Sequence, residues 1–325
     1  MADPVARRLR ELLDDPAATA ALLAAEKRRR HVPNDQLVFV GVADAADYWW
    51  CGMRAVLRAK AKELAYFTVY LSDRVTYARR LGIGPTAVDT DEHLLGIGSE
   101  ISLEDVNRLL REGRPRQKEQ RERKARLQVL AEKRVDSWGN PGFVINPLVP
   151  PDERRRLEDA LVRKGKRVID LEADPKLRGR VFQETMAQSY PTIRWNFAWG
   201  PYVVVGVPDG ITDDFVFELK TTARRFLEHY VKPVAFAQAD LYGFFFQRKT
   251  KRVELRIEEQ QRTVTVDAEV DSASAVRTLQ EFQKVDEGAD PESPVTWKCK
   301  KCEFRATCPI CPLKPSTLAG DRRPT

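Results

Sequence analysis

Two apolar runs divided by a Pro-Asp-Gly step constrain this 325-residue chain more than any other feature. Residues 206–220 read GVPDGITDDFVFELK. The first run, Tyr202–Val207, ends at Pro208-Asp209, and the second carries Glu218 and Lys220 two positions apart. Read as strands, they put residues i and i+2 on one face, so the Glu218 carboxylate and the Lys220 ammonium project together. Asp209-Gly210 predicts a sharp turn that folds the first run back against the second and brings Asp209 to Glu218. Two carboxylates and a lysine on one sheet face suit a hard divalent cation, with the lysine beside a cation-bound water. The plain alternative is an exposed hairpin with ordinary surface charges.

Thr221 and Thr222 follow, and then an amphipathic stretch containing Gln238-Ala-Asp-Leu-Tyr242. Gln238 and Tyr242 are four apart, hence on one helix face, while Leu241, Phe244, Phe245 and Phe246 read as core. Pro-Asp, Glu-x-Lys and Gln-x-x-x-Tyr, in this order, resemble the PD-(D/E)xK active site of the RecB-like nucleases. The resemblance implies an α/β fold, a mixed central sheet flanked by helices with a restriction-endonuclease-like core. It implies that Asp209, Glu218 and the backbone carbonyl of Leu219 hold Mg2+ or Mn2+. Lys220 would position and activate the attacking water, with Gln238 and Tyr242 beside the metal and facing DNA.

The chain has five cysteines, Cys51, Cys299, Cys302, Cys308 and Cys311, the last four spaced C-x2-C-x5-C-x2-C. MADPVARRLRELL lacks a signal-peptide architecture, so a reducing, cytoplasmic compartment and a metal site are expected rather than disulfides. The spacing leaves two assignments open. One is a zinc knuckle on Cys299, Cys302, Cys308 and Cys311. The other is a 4Fe-4S cluster on Cys51, Cys299, Cys302 and Cys308. An early cysteine plus a late C-x2-C-x5-C resembles the iron–sulfur staple of the CRISPR-associated Cas-four family and of AddB-type nucleases. The contexts Cys51-Gly-Met-Arg-Ala-Val-Leu-Arg and Lys298-Cys-Lys-Lys-Cys-Glu-Phe-Arg-Ala-Thr-Cys308 carry that likeness. It implies the cluster assignment, with Cys311 a spare loop thiol and the cluster mainly structural.

The family places a metal-binding His in a Gly-x-x-x-His-Glu context upstream of Pro-Asp. Here the matching stretch is Gly179-Arg-Val-Phe-Gln183-Glu184, with Gln183 at the His position. A Gln carbonyl oxygen is a weaker ligand than imidazole or carboxylate. Gln183 is the expected substitute, with Glu184 and His93 as further candidates, and activity would be low or lean on Mn2+.

The net charge of +7 fits a polyanionic partner, and 42% hydrophobic with 32% charged residues fits a soluble globular chain. No run of about 18 apolar residues predicts a membrane span. Arg108–Arg134 holds eleven Lys or Arg against four Glu, read either as a solvated helix with Glu119–Arg123 and Glu122–Arg126 pairs or as a phosphate-tracking arm. The expected organisation is 1–98, helical with the first cluster ligand; 99–178, a basic helical insertion; 179–270, the nuclease core; 271–325, a C-terminal helix, the cysteines and a disordered tail. Within it, 102–135 reads as helical and Trp138–Pro151 as a loop or linker. The function implied is a metal-dependent exonuclease on single-stranded DNA or DNA ends. It would serve CRISPR spacer acquisition and antiviral defence beside the integrase proteins, or recombination repair. The alternative is a DNA-binding or scaffold subunit with a weakened nuclease site. Trp195, Trp199 and Tyr242 are candidates for base stacking, with core packing the better reading for the two tryptophans.

Overall fold

Pro208 breaks the sheet where it would otherwise run continuously, and the rest of the architecture is arranged around that break. The computed structural model describes residues 4–83, 90–113, 130–147, 149–186, 190–260, 262–292, 294–300 and 302–313. Helices α1 (Pro4–Leu13) and α2 (Pro16–Arg29) open the chain, α2 started by the Asp15 carboxylate on the N–H groups of Ala17 and Ala18. Strand β1 (Phe39–Gly41) and the short α3 (Val42–Ala46) follow. Then comes α4 (Gly52–Leu81), which begins after extended Cys51 and stops at Gly82, where a φ of 70° needs no Cβ. Next are α5 (Asp91–Gly96) and α6 (residues 103–113).

The segment expected to be helical and then loop is in part a hairpin. Strand β2 (Ala131–Val135) pairs antiparallel with β3 (Pro141–Ile145), Ala131 opposite Ile145 and Val135 opposite Pro141. Charge density read as a helix face because the alternation in Ala131–Val135 is short and its apolar partners, Phe143–Ile145, lie in a stretch dominated by Gly, Pro and Asn. The pairs Glu119–Arg123 and Glu122–Arg126 lie outside the described residues, as does the tail beyond residue 313. Helices α7 (Pro151–Arg163) and α8 (Pro175–Met186) follow.

Next come β4 (Trp195–Trp199), β5 (Tyr202–Gly206), β6 (Gly210–Ile211), β7 (Phe215–Thr222), α9 (Glu228–Phe246), β8 (Thr250–Ile257), β9 (Arg262–Glu269), α10 (Ser272–Asp286) and α11 (Thr296–Lys300). They form a mixed α/β fold. One sheet has the order β1-β5-β4, with β1 parallel to β5 and β4 antiparallel to it. The other has the order β6-β7-β8-β9, with β7 and β8 parallel across the α9 crossover. The expected pairing of Tyr202–Val207 with the second run does not occur. Tyr202–Gly206 pairs with β1 and β4, and only Gly210–Ile211 folds onto β7, Gly210 opposite Phe217. Pro208 has no N–H to continue the ladder, so the strand breaks there and resumes at Gly210. The reversal into β7 sits later than predicted, at Thr212–Phe215, where the Thr212 hydroxyl accepts from the N–H groups of Asp214 and Phe215.

The main core draws together Val5 and Leu12 of α1, Phe39 of β1, Phe67 and Leu71 of α4, Val204 of β5, Phe246 of α9 and Phe282 of α10. Its aromatic pairs include tilted ones, Phe39 on Phe67 and on Tyr70 at 5.0 Å, and a stacked one, Phe197 on Phe245 at 4.8 Å. A smaller core of Val144, Ile169, Leu177 and Val181 joins the β2–β3 hairpin to α8. Among the described residues no helix is long and apolar enough to cross a membrane.

Candidate active site

Alternation along β7 gives each of its faces a separate covering. Phe215 and Phe217 meet the ring of Tyr190 at 5.1 and 5.0 Å, and a Cβ on Gly179 of α8 would lie 3.8 Å from the Thr221 hydroxyl. On the opposite face Glu218 and Lys220 point toward α9, as the i, i+2 relation predicts. Lys220 Nζ donates to Glu218 Oε1 and, at 2.9 Å, to Gln238 Oε1. Asp209 arrives from the broken strand: its Oδ2 accepts from the Leu219 N–H at 2.8 Å. The predicted proximity of Asp209, Glu218 and Lys220 is therefore present, although reached by a different pairing.

Gln238 and Tyr242 lie on the face of α9 that packs against the site. The Tyr242 hydroxyl donates to the Val207 carbonyl at 2.9 Å, tying the helix to the end of the first run. Tyr242 is buried, so its ring is held by packing and is not an open stacking platform. Its fit depends on Gly206, where a Cβ would come within 2.6 Å of both Tyr242 Cε1 and Val42 Cγ2. Trp195 is buried as well and Trp199 stacks on Tyr202, in agreement with core packing for both.

Glu218 has no solvent exposure, and its Oε2 is buried without a hydrogen-bond partner among the described residues. Burial pushes the Glu218 carboxyl up to about 8; Lys220 pulls it down, and Asp209 pushes it further up. Burial disfavours the charge on Lys220, but Glu218 and Asp209 outweigh it and hold the ammonium above its ordinary value. An unsatisfied acceptor oxygen of this kind is costly unless a cation or proton meets it. β6 begins only at Gly210, opposite Phe217, so it leaves Leu219 without a ladder partner on that side. The Leu219 N–H is directed to Asp209, and its carbonyl shares that strand edge. The donor chemistry thus fits a hard divalent ion, Asp209 and Glu218 supplying charge and Leu219 a neutral oxygen. Among the described residues, no group of three or more His, Cys, Asp or Glu is disposed to hold a metal ion. Gln183 lies on α8, with its side chain outside the described residues. Glu184 is engaged by Arg134 of β2, and His93 sits on α5, which packs on α2 and α4.

The cysteines meet beside the start of α4. Cys51, at the start of α4, lines one pocket with Cys299, Cys302, Cys308 and Cys311. All five are free thiols, and Cys311, expected as a spare loop thiol, is as buried as Cys299 and Cys308. Burial, and then the nearness of Cys311, Cys51 and Cys302, pushes the Cys299 thiol up to about 11. Burial raises the Cys308 thiol too; thiols are the donor chemistry of a thiophilic metal, although among the described residues they are not grouped to hold one. Lys298 Nζ donates to the Trp50 carbonyl at 2.7 Å and lies over the rings of Trp50 and Tyr230. This clasp joins the C-terminal segment to α4. Sequence reasoning missed it because nothing marked Lys298 and the Trp50, Tyr230 and Trp297 rings as neighbours.

No family model matches the chain, and no curated protein matches it. A solved structure titled "Crystal structure of SSO0001" is similar at a TM-score of 0.33 and 17% identity, over 49% of this chain and 78% of that one. A likeness that slight carries no argument about fold or function.

Proposed function

We propose that the protein is a metal-dependent deoxyribonuclease with a restriction-endonuclease-like core. The observation that carries this reading is the Lys220 ammonium held between Glu218 and Gln238 while Asp209 is fixed to the Leu219 N–H, with Glu218 Oε2 unsatisfied beside them. Three separate sequence motifs supply these groups. The antiparallel succession β4, β5–β6 and β7, followed by the α9 crossover to parallel β8, supports the same reading.

Asp209, Glu218 and the Leu219 carbonyl would hold Mg2+ or Mn2+, which when bound supplies Lewis-acid activation of a phosphodiester and of water. Gln238 orients the Lys220 Nζ, which donates a hydrogen bond toward the attacking oxygen and steadies its developing charge. Tyr242 fixes the Gln238 helix against Val207 and so sets the lysine's position. Cys51, Cys299, Cys302 and Cys308 would hold a 4Fe-4S cluster joining α4 to the C-terminal segment. By resemblance the substrate is DNA with single-stranded ends, and the setting CRISPR spacer acquisition with integrase partners, or recombination repair.

A second reading, a DNA-binding or scaffold subunit with a weakened site, is favoured by Gln183 standing where the family has His. Cleavage of end-labelled single-stranded DNA with Mn2+ or Mg2+ separates the two. Wild type should cut, and Lys220→Ala should lose roughly 100- to 1000-fold in rate, the scale of removing one preorganised donor. DNA binding without cleavage by freshly purified, iron-replete wild type would hand the protein to the second reading.

A further inference from the structure

The turn joining β2 to β3 is bound at nearly every polar position, and it presents a tryptophan to solvent. Asp136 Oδ1 accepts from the N–H groups of Trp138 and Asn140, both at 2.9 Å. The Arg167 guanidinium is bound to Asp136 Oδ2. Gly139 takes a φ of 89°, a left-handed conformation suited to glycine. Ser137 donates through its N–H and its hydroxyl to Asp174, at 2.8 and 2.7 Å, and Asp174 also caps α8 through Leu177 N–H. Trp138 itself is 66% exposed, the most exposed large apolar side chain among the described residues.

The bound turn holds a large and mostly exposed ring in a fixed place, and tryptophan is the residue whose exposure is least favourable. Exposed lysines stand on this element and beside it, Lys133 on β2 and Lys164 and Lys166 on the segment beside β3, interspersed with exposed Glu132 and Asp170, while the Arg167 charge is taken up by Asp136. The hairpin is braced against α8 at two points, Ser137–Asp174 and Arg134–Glu184. That helix packs on β7, with Gly179 next to Thr221, on the face of the strand opposite Glu218 and Lys220. From Asp174 to Gly179 is about 8 Å of helix axis at the α-helical rise. A rigid, exposed aromatic with lysines on the same element is the equipment for stacking a base while phosphates are held alongside.

We propose that Trp138 is a stacking prong for single-stranded DNA, holding a base of the bound strand outside the Glu218–Lys220 site. The choice of DNA rests on the nuclease reading above, but the test does not require cleavage. Binding of a fluorescein-labelled oligothymidine is measured by anisotropy in EDTA, with wild type, Trp138→Ala, Trp138→Leu and Trp138→Phe. Loss of one stacked base should weaken binding by about 5- to 150-fold in the Ala and Leu variants. Phe should stay within about threefold of wild type, and the salt slope should not move, because no phosphate contact is removed. Binding by Trp138→Ala equal to wild type would overturn the proposal. So would rescue by Leu, which would mean plain apolar contact, or failure of wild type to bind. Trp138-dependent binding in a protein that never cuts would keep the prong and remove the nuclease reading. Unchanged melting of the three variants, expected for so exposed a side chain, excludes unfolding as the cause.

Discussion

Titrating Mn2+ into the protein at pH 7 should release close to one proton for each ion bound. Glu218 must ionise to serve as a ligand, and burial holds its carboxyl up to about 8. At pH 7 a group with that pKa is protonated about 0.9 of the time, so about 0.9 protons leave per ion. At its ordinary value of 4.5 the same carboxyl would release fewer than about 0.01. The sign for the metal-free protein follows: a carboxyl raised on folding contributes stability below its ordinary value and loses it as pH rises through about 8. Calorimetric titration in two buffers of unlike ionisation enthalpy reads the protons directly. Lys220→Met gives an internal check, because removing the neighbouring ammonium raises Glu218 further and leaves the release near one. Glu218→Gln should abolish it and weaken binding. Heats at pH 7 that do not depend on the buffer would refute the reasoning, since Glu218 then either is not a ligand or is not raised.

Two further outcomes are expected. Cys51→Ser should lose iron, visible colour and thermal stability while Cys311→Ser keeps all of them, checked by metal analysis and melting; the reverse pattern would assign the thiols to zinc on the C-terminal cysteines. Gly206→Ala should destabilise by about 1–3 kcal/mol, the usual cost of forcing a methyl into a filled site, and should impair the active site through displaced Tyr242.

What the sequence revealed and what it concealed divide along physical lines. Glu218 and Lys220 were legible because a strand's two-residue period is rigid, and Gln238 and Tyr242 because a helix's turn is nearly so. Both relations hold in the structure. The partner of Tyr202–Val207 was not legible, since local pattern does not say which distant strand an apolar run will join. The Pro208 break was written in the sequence, but it was read as a turn rather than an interrupted ladder. The β2–β3 hairpin was obscured by its charges, and with it Trp138, which carries no motif and gains meaning only from the bonds around it. Cys51 lines one pocket with the late cysteines, a meeting that only the tertiary fold could show. Nothing in the spacing announced that Cys311 would join them.

The partnership of β1 with β5 has a consequence for how the molecule can be made or divided. Phe39–Gly41 lies beside Val203–Val205, so the sheet leading into Asp209 is edged by residues from the first fifty of the chain. A fragment beginning at residue 179 would hold every proposed catalytic residue and still leave β5 with a bare, wholly apolar backbone edge, the kind that recruits other chains. During synthesis the early strand and α4 must wait, unpaired, until β5 has been made. Chaperone dependence and a slow, long-range closing step are the expected signatures of that order of assembly.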